Sequence, residues 1–145
     1  DPIQITNSGY NKLYLSAIRD NINFYHICFC EYENNGYIVK YINGYLSENK
    51  FNLKTSSYLS EPSTCMYPEL IKNNSKLLLS WVNYNKLFTC TSTNDGLTWS
   101  KPNIDEYSLE DNFIRSTFYS NYKDDLEYNI SHVFSTLNDV GILGL

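Results

Sequence analysis

The sequence predicts an all-β protein of antiparallel strands, and three observations lead to that fold class. The chain of 145 residues contains 14 Tyr and 7 Phe but a single Ala, at position 17. Aromatic residues favour strands, whereas a shortage of alanine disfavours helices. Asn is frequent, and its side chain is better suited to turns than to helix interiors. Short apolar segments alternate with polar turns along the whole chain, as expected for successive hairpins.

The positions of these segments predict the individual strands. Asn34-Asn35-Gly36 is a strong hairpin signal between the second and third strands. The stretch 47–63 is polar and is interpreted as a connection, and one helical turn is expected around 107–112. We expect strands at residues 11–18, 23–32, 37–42, 66–71, 76–82, 86–91, 113–120, 126–135 and 140–145.

An internal similarity predicts that the chain is built from repeated units. Residues 12–18 align with residues 76–82, and residues 30–36 align with residues 90–96, with a cysteine six positions before a glycine in both copies. A unit of about sixty residues with four strands is typical of a propeller blade. Chance similarity in a compositionally biased chain is the alternative. We expect one β domain spanning 1–145, with repeat units at roughly 3–46 and 64–106 and a partial unit at 112–145.

The stretch 92–99 predicts a tight hairpin that stabilises its own turn. Ser92 ends a strand-like segment, and the short side chain of Asn94 can bond backbone N–H groups across the turn. Gly96 can adopt a positive φ without a steric cost. Thr98 is expected to start the return strand, and Trp99 provides a large apolar anchor for the sheet below.

At these residues the chain resembles the Asp-box, the hairpin motif of sialidase-like β-propellers. Seven of the eight positions are compatible, and Asn94 stands where the motif has Asp. The resemblance implies antiparallel four-stranded blades. The chain would hold two to three of them, whereas a propeller closes with typically about four to eight, so further chain segments or subunits are expected to complete the fold. A compact β-sandwich is the alternative architecture.

The four cysteines predict two disulfide bonds. Cys28 and Cys30 are two residues apart on one strand, so they point to the same face and are not expected to pair with each other. Each is expected to bridge to Cys65 or Cys90, in either order, and buried free thiols are the alternative. The spacing does not match a structural zinc site.

Composition and short motifs indicate a secreted or extracellular protein. The sequons at Asn73 and Asn129 are compatible with secretion and are candidate glycosylation sites. The net charge is -5 and no Lys/Arg-rich run occurs, which argues against a nucleic-acid partner. No apolar stretch approaches the ~20 residues of a membrane span. No cofactor and no metal site is expected.

The sequence does not predict catalysis by this chain alone. The sialidase family uses three arginines that clamp a sugar carboxylate, a Tyr nucleophile assisted by Glu, and an Asp acid/base. This chain has two arginines, Arg19 and Arg115, and both are expected at exposed strand ends. A catalytic Tyr–Glu pair cannot be located from spacing, so no catalytic residue is assigned.

The combined features favour a non-catalytic binding module that uses exposed tyrosines to recognise a protein or a glycan. The Asp-box, the cysteine upstream of it and the Asn/Tyr/Lys bias are similar to the cysteine-rich propeller adhesins of malaria parasites, of the cysteine-rich protective antigen type. That resemblance implies a role in host-cell attachment or invasion. Two alternatives remain: a fragment of a sialidase or related glycosidase, and a secreted β-sandwich that captures a host protein.

Overall fold

The computed structural model describes residues 2–20, 23–122, 130–136 and 142–143, and within these ranges the fold is all-β. The first sheet is a four-stranded antiparallel meander. Its strands lie in chain order and are β1 (Lys12–Arg19), β2 (Phe24–Glu33), β3 (Gly36–Ser47) and β4 (Lys50–Tyr58). Consecutive strands pair through hairpins, so every hydrogen-bonded neighbour in this sheet is also a neighbour in the sequence.

The second sheet repeats the meander, and a third sheet follows it. The strands of the second sheet are β5 (Met66–Asn73), β6 (Lys76–Asn83), β7 (Lys86–Ser92) and β8 (Asn103–Ile104). A single helical turn, α1 (Tyr107–Glu110), lies where it was predicted. The third sheet contains β9 (Phe113–Thr117), β10 (His132–Thr136) and β11 (Ile142–Leu143) in chain order. Parts of the predicted segments 126–135 and 140–145 lie outside the described residues.

Asn-rich turns explain the tight hairpins. The turn Asn34–Asn35 between β2 and β3 has φ values of 50° and 65°, and the turn Tyr84–Asn85 between β6 and β7 has φ values of 48° and 57°. Two consecutive left-handed residues define the hairpin turn whose twist matches that of the flanking strands. Asn tolerates this conformation better than most residues, so the frequent Asn of the sequence has a structural reason here.

Side-chain packing places the three sheets face to face in chain order. Val82 and Leu87 on one face of the second sheet pack against Phe134 of the third sheet. The opposite face of the second sheet and one face of the first sheet share the main core. This core contains Ile18, Cys28, Cys30, Val39, Tyr41, Leu59, Cys65, Leu70, Leu77, Leu79, Trp81 and Cys90. The first strands of these two sheets, β1 and β5, contact each other.

The N-terminal segment covers the outer face of the first sheet. Ile3 and Ile5 pack against a cluster that includes Ile27 and Phe29 of β2. The alternate residues Cys28 and Cys30 of the same strand face the main core. Strand β2 is therefore buried on both faces, which explains why its central residues are apolar without alternation.

The structure corrects the interpretation of 47–63 as a connection, because the whole of β4 lies there. β4 is an edge strand of the first sheet, and Phe51 is its single buried residue. The other side chains are partly or fully exposed, so the strand lacks the apolar alternation that would have identified it. A polar edge strand is a common feature that discourages further sheet pairing.

The strand positions also show that the internal sequence similarity does not align corresponding strands of the first two sheets. Residues 12–18 lie in β1, the first strand of its sheet, whereas residues 76–82 lie in β6, the second strand of its sheet. Likewise, the turn 34–36 joins second and third strands, and the loop 94–96 joins third and fourth strands. The two aligned copies are thus offset by one strand, although both sheets contain four strands.

A buried carboxylate ties the N-terminal segment to the first sheet. Glu31 of β2 is 1% exposed, and its Oε2 lies 2.5 Å from Ser8 Oγ and 3.1 Å from Lys12 Nζ. Its Oε1 accepts a hydrogen bond of 2.9 Å from Lys40 Nζ. Burial by itself raises the pKa of Glu31, but the hydrogen bonds from Ser8, Lys40 and Lys12 outweigh it and leave the pKa below the usual 4.5.

We expect the variant Glu31→Gln to be less stable at neutral pH by about 1–3 kcal/mol, because two ammonium groups lose their buried partner. Since the folded pKa of Glu31 is below 4.5, its stabilisation is complete above pH 4.5 and is lost as the pH falls through the folded pKa. Urea unfolding across this pH range should show the two proteins converging in acid. Glu33→Gln, on the same strand, is the control, and equal stability of Glu31→Gln and wild type at neutral pH would contradict the assignment.

Candidate functional site

The loop after β7 has the self-bonded geometry expected for the stretch 92–99. Ser92 Oγ accepts a hydrogen bond of 2.9 Å from the Gly96 N–H and lies 3.0 Å from Asn94 Oδ1. Asn94 Oδ1 accepts a hydrogen bond of 3.0 Å from the Thr98 N–H, and Asn94 Nδ2 donates to Thr98 Oγ1 at 2.9 Å. Asn94 thus bonds the backbone across the turn, as expected. The return strand is shorter than expected, because β8 begins at Asn103 and not at Thr98.

This loop packs directly against Tyr41 of the first sheet. Gly96 has a φ of 82°, and a Cβ atom at this position would lie 2.0 Å from Tyr41 Oη. The ring of Trp99 meets the ring of Tyr41 edge to face, with centroids 4.9 Å apart. The loop therefore joins the two sheets, and glycine at position 96 is required by both the backbone conformation and the space available.

Buried polar groups continue from Tyr41 into the first sheet. Tyr41 Oη lies 2.6 Å from His26 Nδ1 and accepts a hydrogen bond of 3.1 Å from Asn43 Nδ2. Asn43 Nδ2 also donates to the carbonyl oxygen of Asp95 at 2.9 Å. Burial is the main cause that lowers the pKa of His26 and raises the pKa of Tyr41. Both rings are therefore uncharged at neutral pH.

Charged side chains from three elements meet beside this network. Lys72 Nζ of β5 lies 2.6 Å from Asp20 Oδ2 and 3.0 Å from Asp95 Oδ1. Asp20 Oδ2 is also 3.3 Å from His26 Nε2. Burial opposes the charged forms of both Lys72 and Asp20, but their mutual hydrogen bonds dominate, so the pKa of Lys72 is raised and that of Asp20 is lowered.

The network forms one wall of a cleft of about 290 Å³ between the first sheet and the hairpin loop. Its exposed rim includes Tyr45 and Leu97, which are 44% and 65% exposed. Phe24 packs edge to face on Tyr45. Among the described residues, the lining consists of Asp20, Phe24, Asn43, Tyr45, Lys54, Thr55, Asn94, Asp95 and Leu97. The cleft thus combines an aromatic rim with fixed polar groups, a composition common in ligand sites.

A second buried polar cluster joins all three sheets around Glu69, which is 3% exposed. Glu69 Oε1 accepts a hydrogen bond of 2.7 Å from Ser131 Oγ. Its Oε2 lies 3.4 Å from Arg115 Nη2 of β9 and 3.4 Å from His132 Nδ1 of β10. Ser16 Oγ of β1 lies 3.5 Å from Oε1. A buried carboxylate requires such partners, so Glu69 links residues of all three sheets.

Two strained tyrosines lie next to this cluster. Tyr14 and Tyr67 have φ values of 57° and 51°, and each lies in an irregular part of the first strand of its sheet. Their ring centroids are 4.5 Å apart, and the guanidinium of Arg115 lies 5.2 Å from the Tyr67 ring. A bulky residue in the left-handed region costs about 1–3 kcal/mol and is often found at functional sites.

The structure does not contain the two predicted disulfide bonds. Cys28, Cys30, Cys65 and Cys90 are all free and buried. Their sulfur atoms occupy the core between the first two sheets, where a thiol packs like a small apolar side chain. Burial is the main cause that raises the pKa of Cys30 and of Cys90 to about 12. Their reactivity as thiolates is correspondingly low.

The remaining predicted sites lie apart from the cleft residues. Asn73 is exposed at the end of β5, beside the turn to β6, so its side chain is accessible. Asn129 lies outside the described residues. Arg19 is exposed on β1, as expected. Arg115 is exposed as well but also contacts Glu69.

Sequence reasoning missed most of the cleft network. The sequence does not identify the hydrogen-bond partners of His26, which are Tyr41 and Asp20. Strand alternation places His26 on the buried face and could have marked it as a polar residue in need of a partner. Lys72 had no such signal, because a partly exposed lysine near the end of a strand does not by itself require a partner.

No family model, no curated protein and no solved structure matches the chain. Among the described residues, no helix is long and apolar enough to cross a membrane. The two candidate functional regions among the described residues are the cleft and the Glu69 cluster.

We expect Gly96→Ala to lower the free energy of unfolding by at least about 2 kcal/mol, because the new methyl group meets Tyr41 and the backbone is strained. Gly9→Ala is the matched control, since nothing lies within 4 Å of a Cβ at that position. It should change stability by less than about 0.5 kcal/mol. Urea unfolding curves measure both values, and equal effects would show that the loop does not contact Tyr41 as described.

Proposed function

We propose that this chain is a non-catalytic binding module of a secreted or cell-surface protein, and that it forms part of a sialidase-like β-propeller. The main support for this proposal is the aromatic-rimmed cleft between the first sheet and the hairpin loop. A protein surface is the favoured partner, with a glycan as the second class. By resemblance to the malaria adhesins, the role would be host-cell attachment or invasion.

The arrangement of the sheets supports a propeller over a sandwich. A β-sandwich has two sheets, and its strands commonly cross between them through Greek-key connections. Here each of the first two sheets is built from four consecutive strands, and a third sheet stacks on the second. Radial repetition of four-stranded sheets is the defining feature of propellers. The contact between the first strands β1 and β5 is compatible with that arrangement.

The rim of the cleft supports a binding role. Tyr45 and Leu97 offer exposed apolar surface at its mouth, and Tyr is a frequent hot-spot residue because it buries a large area at a low entropic cost. Behind the rim, Asp20 and Asp95 are held by Lys72. These groups are positioned before any partner arrives, which lowers the cost of binding. The exposed sequon at Asn73 is compatible with secretion.

Binding of the fluorescently labelled chain to human erythrocytes and to nucleated cells tests this role. We expect Tyr45→Ala to weaken binding by about tenfold or more, as for a hot-spot aromatic residue. Tyr84→Ala is the control, because Tyr84 is 70% exposed in the β6–β7 turn, at the end of the sheet away from the hairpin loop. Loss of binding after protease treatment of the cells indicates a protein partner, and loss after glycosidase treatment indicates a glycan. Equal binding of Tyr45→Ala and wild type would contradict a role for the cleft.

A fragment of a glycosidase is the second candidate, and the Glu69 cluster favours it. Tyr67, Glu69 and Arg115 provide the residue types that the sialidase resemblance implies for nucleophile, assisting carboxylate and sugar clamp. Arg115 contacts both of the other residues. However, the chain supplies two arginines and not three, and the Glu69 carboxylate is buried among structural partners. We therefore rank this function second.

We expect the wild-type chain to hydrolyse a fluorogenic sialoside no faster than its Tyr67→Phe variant does. The physical reason is that a clamp with too few guanidinium groups leaves the substrate carboxylate unpaired. A steady-state fluorescence assay measures both proteins at equal concentration. Turnover by wild type that is abolished in Tyr67→Phe would favour the glycosidase and displace the binding module as the leading proposal.

A further inference from the structure

Three side chains with metal-ligating atoms converge at the cleft. Asp20 follows β1, His26 lies on β2, and Asp95 lies in the hairpin loop after β7. One ligand atom from each residue lies within 4.8 Å of the other two. The residues are distant in sequence, and only the packing of the loop on the first sheet brings them together.

The chemistry of this donor set is specific. One imidazole nitrogen and two carboxylate oxygens form a ligand type that Zn²⁺ takes in proteins, whereas Ca²⁺ and Mg²⁺ prefer oxygen ligands alone. Asp20 and Asp95 both line the cleft, so the remaining coordination position would face solvent. Asp95 is largely exposed on its loop, so its carboxylate is free to adjust to a bound ion.

Tyr41 orients the imidazole for this purpose. His26 Nδ1 lies 2.6 Å from Tyr41 Oη, while Nε2 faces Asp20. Tyr41 Oη also lies 3.4 Å from the carbonyl oxygen of Asp95, to which its hydroxyl can donate. With an ion bound, the His26 Nδ1–H would donate to Tyr41 and the lone pair of Nε2 would be free for the ion, whereas without an ion the Nε2–H can donate to Asp20. A hydrogen bond to the second ring nitrogen is the usual support of a metal-bound histidine.

An unpartnered buried oxygen lies in the same wall. Asn43 is 2% exposed, and among the described residues its Oδ1 atom has no hydrogen-bond partner. Its amide nitrogen is already used by Tyr41 and by the carbonyl oxygen of Asp95. A buried acceptor without a donor is rare and calls for an explanation such as an ion or water nearby. This observation is independent of the Asp20–His26–Asp95 geometry.

The ammonium group of Lys72 marks a position at which positive charge is stabilised. Its ammonium group bridges Asp20 Oδ2 and Asp95 Oδ1 at 2.6 and 3.0 Å. A positive charge between the two carboxylates is thus part of the folded structure. Because Lys72 is a long side chain from β5 and not a fixed backbone group, it can withdraw when a second cation competes for the same oxygens.

We propose that Asp20, His26 and Asp95 form a binding site for a divalent cation of the Zn²⁺ class, and that Lys72 is the internal cation with which the metal competes. The proposal goes beyond the binding role and does not depend on it. Binding would link the hairpin loop to the first sheet through the ion and would displace Lys72 from Asp20 and Asp95. Removal of Lys72 and removal of a carboxylate therefore have opposite effects on metal affinity.

Zn²⁺ titration of the purified chain, treated first with a chelator, tests the site by isothermal calorimetry. We expect one ion per chain, affinity lowered at least about tenfold in Asp95→Asn, and affinity raised about tenfold in Lys72→Met. Glu61→Gln is the control, because Glu61 is an exposed carboxylate in the β4–β5 connection, and it should match wild type. Circular dichroism checks that each variant is folded. Asp95→Asn alters an exposed loop residue and keeps the test valid if Lys72→Met does not fold.

Histidine side-chain NMR locates the ion. The chain has two histidines, His26 and His132, and Zn²⁺ should shift the Nε2 resonance of His26 alone. The four buried thiols also carry metal-ligating atoms, so the titration is repeated with Co²⁺, whose thiolate complexes have a distinct charge-transfer absorption. Absence of binding in both wild type and Lys72→Met would overturn the proposal. So would an affinity that Asp95→Asn leaves unchanged, or a thiolate signal with Co²⁺.

Discussion

The contact between Tyr41 and the hairpin loop after β7 is the interaction on which the rest of the structure depends. Tyr41 is fully buried between the first two sheets, where its ring meets Trp99 and its hydroxyl lies against Gly96. The same hydroxyl bonds His26 and Asn43. One side chain therefore connects the apolar core, the self-bonded loop and the polar wall of the cleft. Because these roles share one side chain, we expect any movement of the loop to change the cleft.

The buried ion pairs and charged hydrogen bonds of this molecule mainly join elements that are not adjacent in the chain. Glu31 ties the N-terminal segment to the first sheet, and Glu69 joins all three sheets. Asp20, Lys72 and Asp95 connect the first sheet to β5 and to the hairpin loop. Each carboxylate is paired, which compensates the cost of its burial. The pairing at the cleft differs in one respect, since Asp95 is exposed and its partner Lys72 is a flexible side chain. The ion pair between Lys72 and Asp95 can therefore stabilise the fold and still leave the Asp95 carboxylate accessible to a ligand.

Two residues within strands, one in β1 and one in β5, have a strained backbone. Tyr14 and Tyr67 adopt positive φ values in the first strands of the first two sheets, and their rings contact each other. The backbone cost at both positions is compensated by aromatic packing and by the neighbouring Arg115. The two sheets thus share a local feature at matching positions. This structural repetition is more direct than the sequence similarity between 12–18 and 76–82, which aligns a first strand with a second strand.

The sequence by itself determined the all-β class, most of the strands and the hairpin loop, because these depend on residues near one another in the chain. The hydrogen bonds within the stretch 92–99 join residues at most four positions apart. Tertiary structure decided the polar edge strand β4, the free state of the cysteines and the cleft network. Asn43 and Asp95 are 52 positions apart, as are Asp20 and Lys72. No local pattern encodes such pairs, because they form only when two sheets pack and buried polar groups must find partners.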